Sequence, residues 1–197
     1  MTYAIIGSGA IGTALATQFA RNNIDVLVTN SRGAAAVSEL ADKLGNNIKP
    51  ASVKDAANAD VVILAVPFAS VPDAVGGASD WAGRVVVDAT NAIDFPAFTP
   101  KDLGGRLSTE IVAESVPGAR VVKAFNTLPA AVLSADPVKD GGHRVVFLSG
   151  NDAEANKLVV DLTGALRFSA INLGSLAQGR LAQFGGPLMV HNLTKLA

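Results

Sequence analysis

The stretch GSGAIG, Gly7 to Gly12, follows directly on a short run of strand-forming residues, Thr2 to Ile6. It opens a segment, Ala10 to Arg21, whose alanine, leucine and phenylalanine spacing is that of a helix packed on a sheet. Few folds begin with a strand, a glycine turn and a helix in that order. In G-x-G-x-x-G the first glycine makes the tight turn, the second lets backbone approach a pyrophosphate, and the third lets helix and strand pack closely. Gly7, Gly9 and Gly12 take these places. The helix N-terminus adds unpaired N–H groups and the positive end of its dipole, both suited to phosphate. The rival phosphate loop, G-x-x-x-x-G-K-[ST], fails because Thr13 stands where it requires lysine. A dinucleotide site is therefore expected.

The remaining pattern fits the fold that such a start implies. Ile24 to Thr29 reads as the second strand, Ala34 to Leu44 as a helix ended by Gly45, and Val61 to Val66 as an apolar strand stopped by Pro67. RVVVD (Arg84 to Asp88), RVVKA (Arg120 to Ala124) and RVVFLS (Arg144 to Ser149) read as three more strands of one sheet. Asp152 to Thr163 reads as a helix capped by Asn151 or Asp152. Gly179 to Lys195 reads as a last amphipathic helix bent at Gly185-Gly186-Pro187. Alternation of strands and helices predicts an α/β, Rossmann-type, doubly wound and mostly parallel sheet in a single domain, residues 1–197, with a C-terminal helix. The apolar face of that terminal segment, residues 175–197, exceeds what the sheet can cover, so it is expected to be the interface of a homodimer.

The end of the second strand selects the cofactor. NAD sites place an acid about 20 residues beyond the glycines to accept hydrogen bonds from the ribose hydroxyls, and that acid repels a 2′-phosphate. This chain has Asn30, Ser31 and Arg32 there. Asn30 removes the repulsion, Arg32 offers a guanidinium that pairs with phosphate, and Ser31 adds a hydroxyl donor. NADP is the expected cofactor.

Composition narrows the partners. The 197 residues carry a formal net charge of -1 with no basic stripe, which argues against nucleic acid. There is no cysteine, so disulfides, thiol nucleophiles and cysteine-held metals are excluded, in keeping with a reducing compartment. The start MTYAIIG has no basic leader or cleavage site, and no apolar run is long enough to span a membrane. A cytoplasmic protein without a membrane partner is expected.

GSGAIG, then NSR, then AVPF (Ala65 to Phe68), then KAFNTLPA (Lys123 to Ala130), resembles the NADPH-dependent reductases of the deazaflavin coenzyme F420. The same combination is similar to the NADPH-binding cytosolic domains of membrane metalloreductases, which pass electrons to a flavin. KAFNT sits closer to the latter. The resemblance extends over nearly the whole chain, through STEIVAESVPGARVVKAFNT (Ser108 to Thr127) and LGSLAQGRLAQF (Leu173 to Phe184). It implies that Ser8, Ala10 and Ile11 contact the pyrophosphate and adenosine side and that Ser31 and Arg32 hold the 2′-phosphate. By the same resemblance Pro67 and Phe68 flank the nicotinamide ribose, and Ala124, Phe125, Asn126 and Thr127 form a wall near the ring. From the residues themselves, Val66 and Pro67 end a buried strand at the cofactor edge, Phe68 is an apolar lid there, and Asp88 to Asn91 end another strand at the ligand-binding edge of the sheet.

Hydride transfer between a nicotinamide and a flavin or deazaflavin mainly needs two rings held face to face with water excluded. No catalytic side chain and no metal ligand is assigned. His143 and His191 lack ligand-spaced partners, and Glu110 and Glu114 read as a solvated helix face. The expected activity is an NADP-dependent oxidoreductase acting on a small-molecule electron acceptor, F420, FMN or FAD. Reduction of a small imine or carbonyl, and a non-catalytic NADPH sensor, are the alternatives.

Overall fold

A computed structural model describes residues 1–78 and 81–196. The chain runs β1 (Tyr3–Ile6), α1 (Ala10–Arg21), β2 (Val26–Thr29), α2 (Ser38–Leu44), β3 (Ile48–Pro50), α3 (Val53–Ala57), β4 (Val61–Leu64), α4 (Val71–Val75) and β5 (Val85–Asp88). A short hairpin follows, β6 (Ile93–Asp94) and β7 (Thr99–Pro100), then α5 (Ser108–Glu114), β8 (Arg120–Ala124) and α6 (Ala130–Ser134). The last part is β9 (Val138–Lys139), β10 (Gly142–Gly150), α7 (Ala153–Ala165), β11 (Ser169–Asn172), a 3-10 turn (Leu176–Leu181) and β12 (Thr194–Leu196).

The main sheet has the order β11-β10-β8-β5-β4-β1-β2-β3. From β3 across to β8 every pairing is parallel, and β10 turns the sheet antiparallel against β8. Strand order therefore reverses between β1 and β4, which is where open α/β sheets open a crevice for ligands. Successive residues of each central strand point to opposite faces. Ile5 and Ile63 enter one apolar core beneath α1 and α7, while Ile6 and Leu64 enter a second beneath α3, α4 and α5. All four residues of β4 are buried. Each buried valine, leucine or isoleucine contributes about 1.5–3 kcal/mol, which is why these strands read as unbroken apolar runs.

The first helix has the bounds that its apolar spacing predicts. It is tied to α6 by the fully buried Gln18, whose Nε2 donates to the carbonyls of Leu133 and Ala135 at 2.5 and 2.7 Å.

The C-terminal segment corrects the sequence reading. Residues 179–195 are not an α-helix: the 3-10 turn ends at Leu181, turns follow, and β12 pairs antiparallel with the start of β10. Gly185 sits at φ +86°, and Pro187 offers no N–H, so helical hydrogen bonds cannot run through this stretch. Part of its apolar surface finds cover within the same chain, since Ala182 and Leu188 pack on Val145 and Phe147 of β10, while Leu181, Val190, Leu193 and Leu196 stay exposed.

Candidate functional site

The three glycines of the first turn have different reasons for being glycine. Gly7 adopts φ +116°, and a Cβ on it would lie 2.2 Å from the Ala65 carbonyl oxygen. A Cβ on Gly12 would lie 1.8 Å from the Gly7 carbonyl oxygen. Both are demanded by packing. Gly9, at φ -74°, could carry any side chain as far as backbone is concerned, and a Cβ there meets nothing within 4 Å. The space it leaves free lies over the N-terminus of α1, which has no side-chain cap and no acid in its first turn. A vacant surface over unpaired N–H groups fits a pyrophosphate.

That surface is the waist of a two-lobed cleft. The first lobe, about 670 Å³, is bounded by Gly7, Ser8, Gly9 and by Asn30, Ser31, Arg32. The second, about 520 Å³, is bounded by Gly9, Ala10, Ile11 and by Phe68 and Asn91. Gly9, Val66 and Pro67 belong to both lobes. Two lobes of ordinary ligand-pocket size, joined at the glycine turn, suit a dinucleotide with its pyrophosphate at the waist.

Asn30 organises the first lobe. Its Nδ2 donates to Ser8 Oγ at 2.7 Å, and its Oδ1 accepts from Arg32 N at 2.8 Å, so the end of β2 is locked to the glycine turn. An acid could not donate to Ser8 in this way. Arg32 is exposed and makes no ion pair among the described residues, although Asp73 also lines the lobe.

A buried charge pair stands behind the second lobe. Lys123 Nζ donates to Asp88 Oδ2 at 3.0 Å, with side-chain exposures of 3% and 0%. Asp88 also accepts from Thr109 Oγ1, Thr90 N and Thr90 Oγ1 at 2.8, 2.9 and 2.7 Å, and Lys123 donates to the Thr90 carbonyl at 2.6 Å. These bonds fix the loop Ala89–Asn91 that lines the lobe. Asp88 thus caps the turn that follows it and also holds the lysine.

Ala124, Phe125, Asn126 and Thr127 are all buried, and none lines either lobe. They reach the cleft through Asn91, whose Nδ2 donates to the Asn126 carbonyl at 2.9 Å. Asn126 Nδ2 returns a bond to Asn91 Oδ1 at 3.1 Å and donates to the Ala182 carbonyl at 2.7 Å. Phe125 holds φ +61° although it is a buried aromatic, a costly backbone conformation that turns the chain sharply at the end of β8.

Other residues weighed from the sequence fall outside the cleft. Glu110 caps α5 by accepting from Leu107 N, Glu114 pairs with Arg106, and the His143 ring meets the Arg167 carbonyl. His191 is exposed. Sequence reasoning missed the Lys123–Asp88 pair and the contributions of Phe95 and Lys101 to the second lobe. A lysine inside an apolar strand, RVVKA, was the available signal, because a buried ammonium requires a partner.

Comparison with known proteins agrees with this geometry. The model of the family described as NADP oxidoreductase, coenzyme F420-dependent, matches residues 2–92, which include both flanks of the first lobe. The F420-dependent NADP reductase of Methanocaldococcus jannaschii is 30% identical over 211 residues, covering 96% of this chain and 91% of that protein. Metalloreductase STEAP3 of Rattus norvegicus is 29% identical over 177 residues, and this chain spans only 34% of its length. A crystal structure of a hypothetical protein from Sinorhizobium meliloti has a TM-score of 0.96 at 59% identity, covering 99% of this chain and 96% of that one. On its match to a full-length reductase, its fold and its glycine cradle, the chain belongs to the family of F420-dependent NADP oxidoreductases.

Proposed function

We propose that this protein is an NADPH-dependent oxidoreductase that moves a hydride between NADP(H) and the ring of a deazaflavin or flavin. The observation that carries the reading is the cleft itself. Its waist is open at Gly9, its first lobe carries Asn30 and an exposed Arg32 where NAD sites carry an acid, and its second lobe is walled mainly by apolar residues.

When bound, NADPH supplies a hydride from its nicotinamide ring. The chain's own task is to hold and shield. Gly7, Ser8 and Gly9 present backbone to the pyrophosphate, and Ala10, Ile11 and the α1 N-terminus support it. Ser31 and Arg32 take the 2′-phosphate. Val66, Pro67 and Phe68 cover the nicotinamide riboside, and Asn91, held by Asn126, is the amide at the floor of the second lobe. The buried Asp88–Lys123 pair keeps that floor in place without facing the ligand.

Reduction of a small imine or carbonyl has one observation in its favour, Lys101, the titratable side chain in the lining of the second lobe. Anaerobic mixing with NADPH separates the readings. Rapid loss of NADPH absorbance on adding F420, FMN or FAD, with little on adding NADH in its place, is the expected result. Turnover of imines or carbonyls alone would support the second reading, and tight binding without turnover of anything would make the protein a sensor.

Among the described residues no helix is long and apolar enough to cross a membrane. A cytoplasmic site of action fits a chain without cysteine. The protein is further proposed to be a homodimer, because Leu181, Val190, Leu193 and Leu196 of the C-terminal segment remain exposed after the segment has covered β10. Sedimentation as a monomer at micromolar concentration would reject that assembly.

A further inference from the structure

The hairpin β6–β7 rises from the floor loop of the second lobe and exposes two large aromatic rings. Phe95 is 73% exposed and Phe98 is 62% exposed. Leaving that much apolar surface in water forgoes burial free energy at a place where no described residue covers it. The rings are nonetheless held. Phe95 and Phe98 meet edge to face with centroids 5.9 Å apart, and Phe98 meets Phe184 edge to face at 5.4 Å.

The C-terminal segment braces the hairpin from behind. Gly185 lies so close to Pro100 that a Cβ there would be 2.4 Å from the proline ring. Gln183 Oε1 accepts from Ser108 N at 3.0 Å, anchoring the same segment to the start of α5. Phe98 itself sits at φ +54°, a conformation that bulky residues rarely hold without support. The result is a rigid aromatic rim.

Phe95 also lines the second lobe, so the rim is continuous with the chamber proposed for the nicotinamide. Lys101, across the base of the hairpin, lines it too, with its Nζ 3.4 Å from Asp94 Oδ1 in an exposed ion pair that leaves it further protons to donate. Exposed ring faces together with an ammonium, which has three protons to donate, match a flat molecule with one hydrocarbon edge and one edge of carbonyl and ring-nitrogen acceptors, while the Thr90 hydroxyl and the Asn91 amide are engaged with Asp88 and Asn126. An isoalloxazine or deazaisoalloxazine has that shape.

Building on the proposed reductase function, we propose that Phe95 and Phe98 form the docking rim for the tricyclic ring of the electron acceptor, with Lys101 facing its polar edge. The rim selects for a ring system, while NADP(H) is held mainly at the glycine turn and the end of β2.

Flavin fluorescence tests this without requiring turnover. Riboflavin, FMN and F420 are titrated separately into the NADP⁺-loaded protein, the Phe95→Ala/Phe98→Ala variant and Lys101→Gln, with thermal unfolding and NADP⁺ affinity measured alongside. The wild type is expected to quench ring emission. The double phenylalanine variant is expected to weaken ring binding about tenfold, with a much smaller change in NADP⁺ affinity, which rests mainly on the glycine turn and Arg32, and with melting temperature unchanged. A loss shared by all three ligands assigns the contact to the ring they have in common. Equal ring affinity in variant and wild type, or no quenching by the wild type, overturns the proposal. So does a variant that loses NADP⁺, which would place the phenylalanines on the nicotinamide, or one that changes only the sedimentation coefficient, which would make the rim an interface between copies. Ring binding that depends on the phenylalanines but is never followed by NADPH oxidation would refute the reductase reading and leave the docking rim standing.

Discussion

At the scale of single residues, the site turns on what each glycine is for. Gly9→Ala adds a methyl group to open space at an ordinary φ, so its melting temperature should match the parent, while NADPH affinity should fall about tenfold or more if the methyl enters the place proposed for the pyrophosphate. Gly12→Ala should do the reverse, losing about 3 kcal/mol of stability to an overlap with backbone that no side chain can relieve. Calorimetry and a binding titration on the two variants check the pair. A similar contrast holds for Lys123. Lys123→Met strands a fully buried carboxylate and should cost about 3–5 kcal/mol in urea unfolding, whereas combining it with Asp88→Asn should restore part of that loss. The glycines were legible in the sequence because their spacing is local. The ion pair was not, since its partners lie 35 positions apart and only the parallel register of β5 and β8 sets Asp88 beside Lys123.

Elements differ in how far their own residues specify them. β1, α1, β4 and β5 carry unbroken apolar runs or helical spacing and were readable to within two residues of each bound. The hairpin β6–β7 has two residues in each strand, too few to leave a period, although it supplies Phe95 to the second lobe. Ser169 to Asn172 mixes polar and apolar residues, so β11 is a strand by virtue of its pairing with β10. The C-terminal segment looked helical because its apolar residues recur at intervals, and tertiary cover on β10 overrides that pattern once Gly185 and Pro187 break the backbone ladder. Where two elements meet, Asp60 fastens the starts of β4 and β1. Its Oδ2 accepts from Thr2 N at 2.6 Å and from Thr2 Oγ1 at 3.0 Å, and these bonds hold its carboxyl below the usual carboxylate range. A lowered folded-state value means that the stabilisation is present above the unfolded carboxylate value, near pH 4, and is lost as pH falls through the folded one. Being exposed, the pair should contribute less than about 1 kcal/mol, so Asp60→Asn should lower stability slightly at pH 7 and not at all near pH 2, as read from melting temperatures.

For the whole molecule, function follows from where the sheet changes direction. Reversal of strand order between β1 and β4 opens the cleft, the glycine turn forms its waist, and the end of β2 borders its first lobe, where we propose that it selects the dinucleotide. The second lobe is completed by parts distant in sequence, the floor loop after β5 and the braced hairpin, so its chemistry emerges only in three dimensions. The central claim is that this cleft is an NADP site with Arg32 on the 2′-phosphate. It is tested most directly by titrating NADPH and NADH into the wild type and Arg32→Ala. The wild type should prefer NADPH, and the variant should lose about 10- to 100-fold of NADPH affinity, the worth of a charge-assisted contact of about 1.5–3 kcal/mol, with NADH binding unchanged. Equal affinities in the wild type, or equal losses for both dinucleotides in the variant, would contradict it.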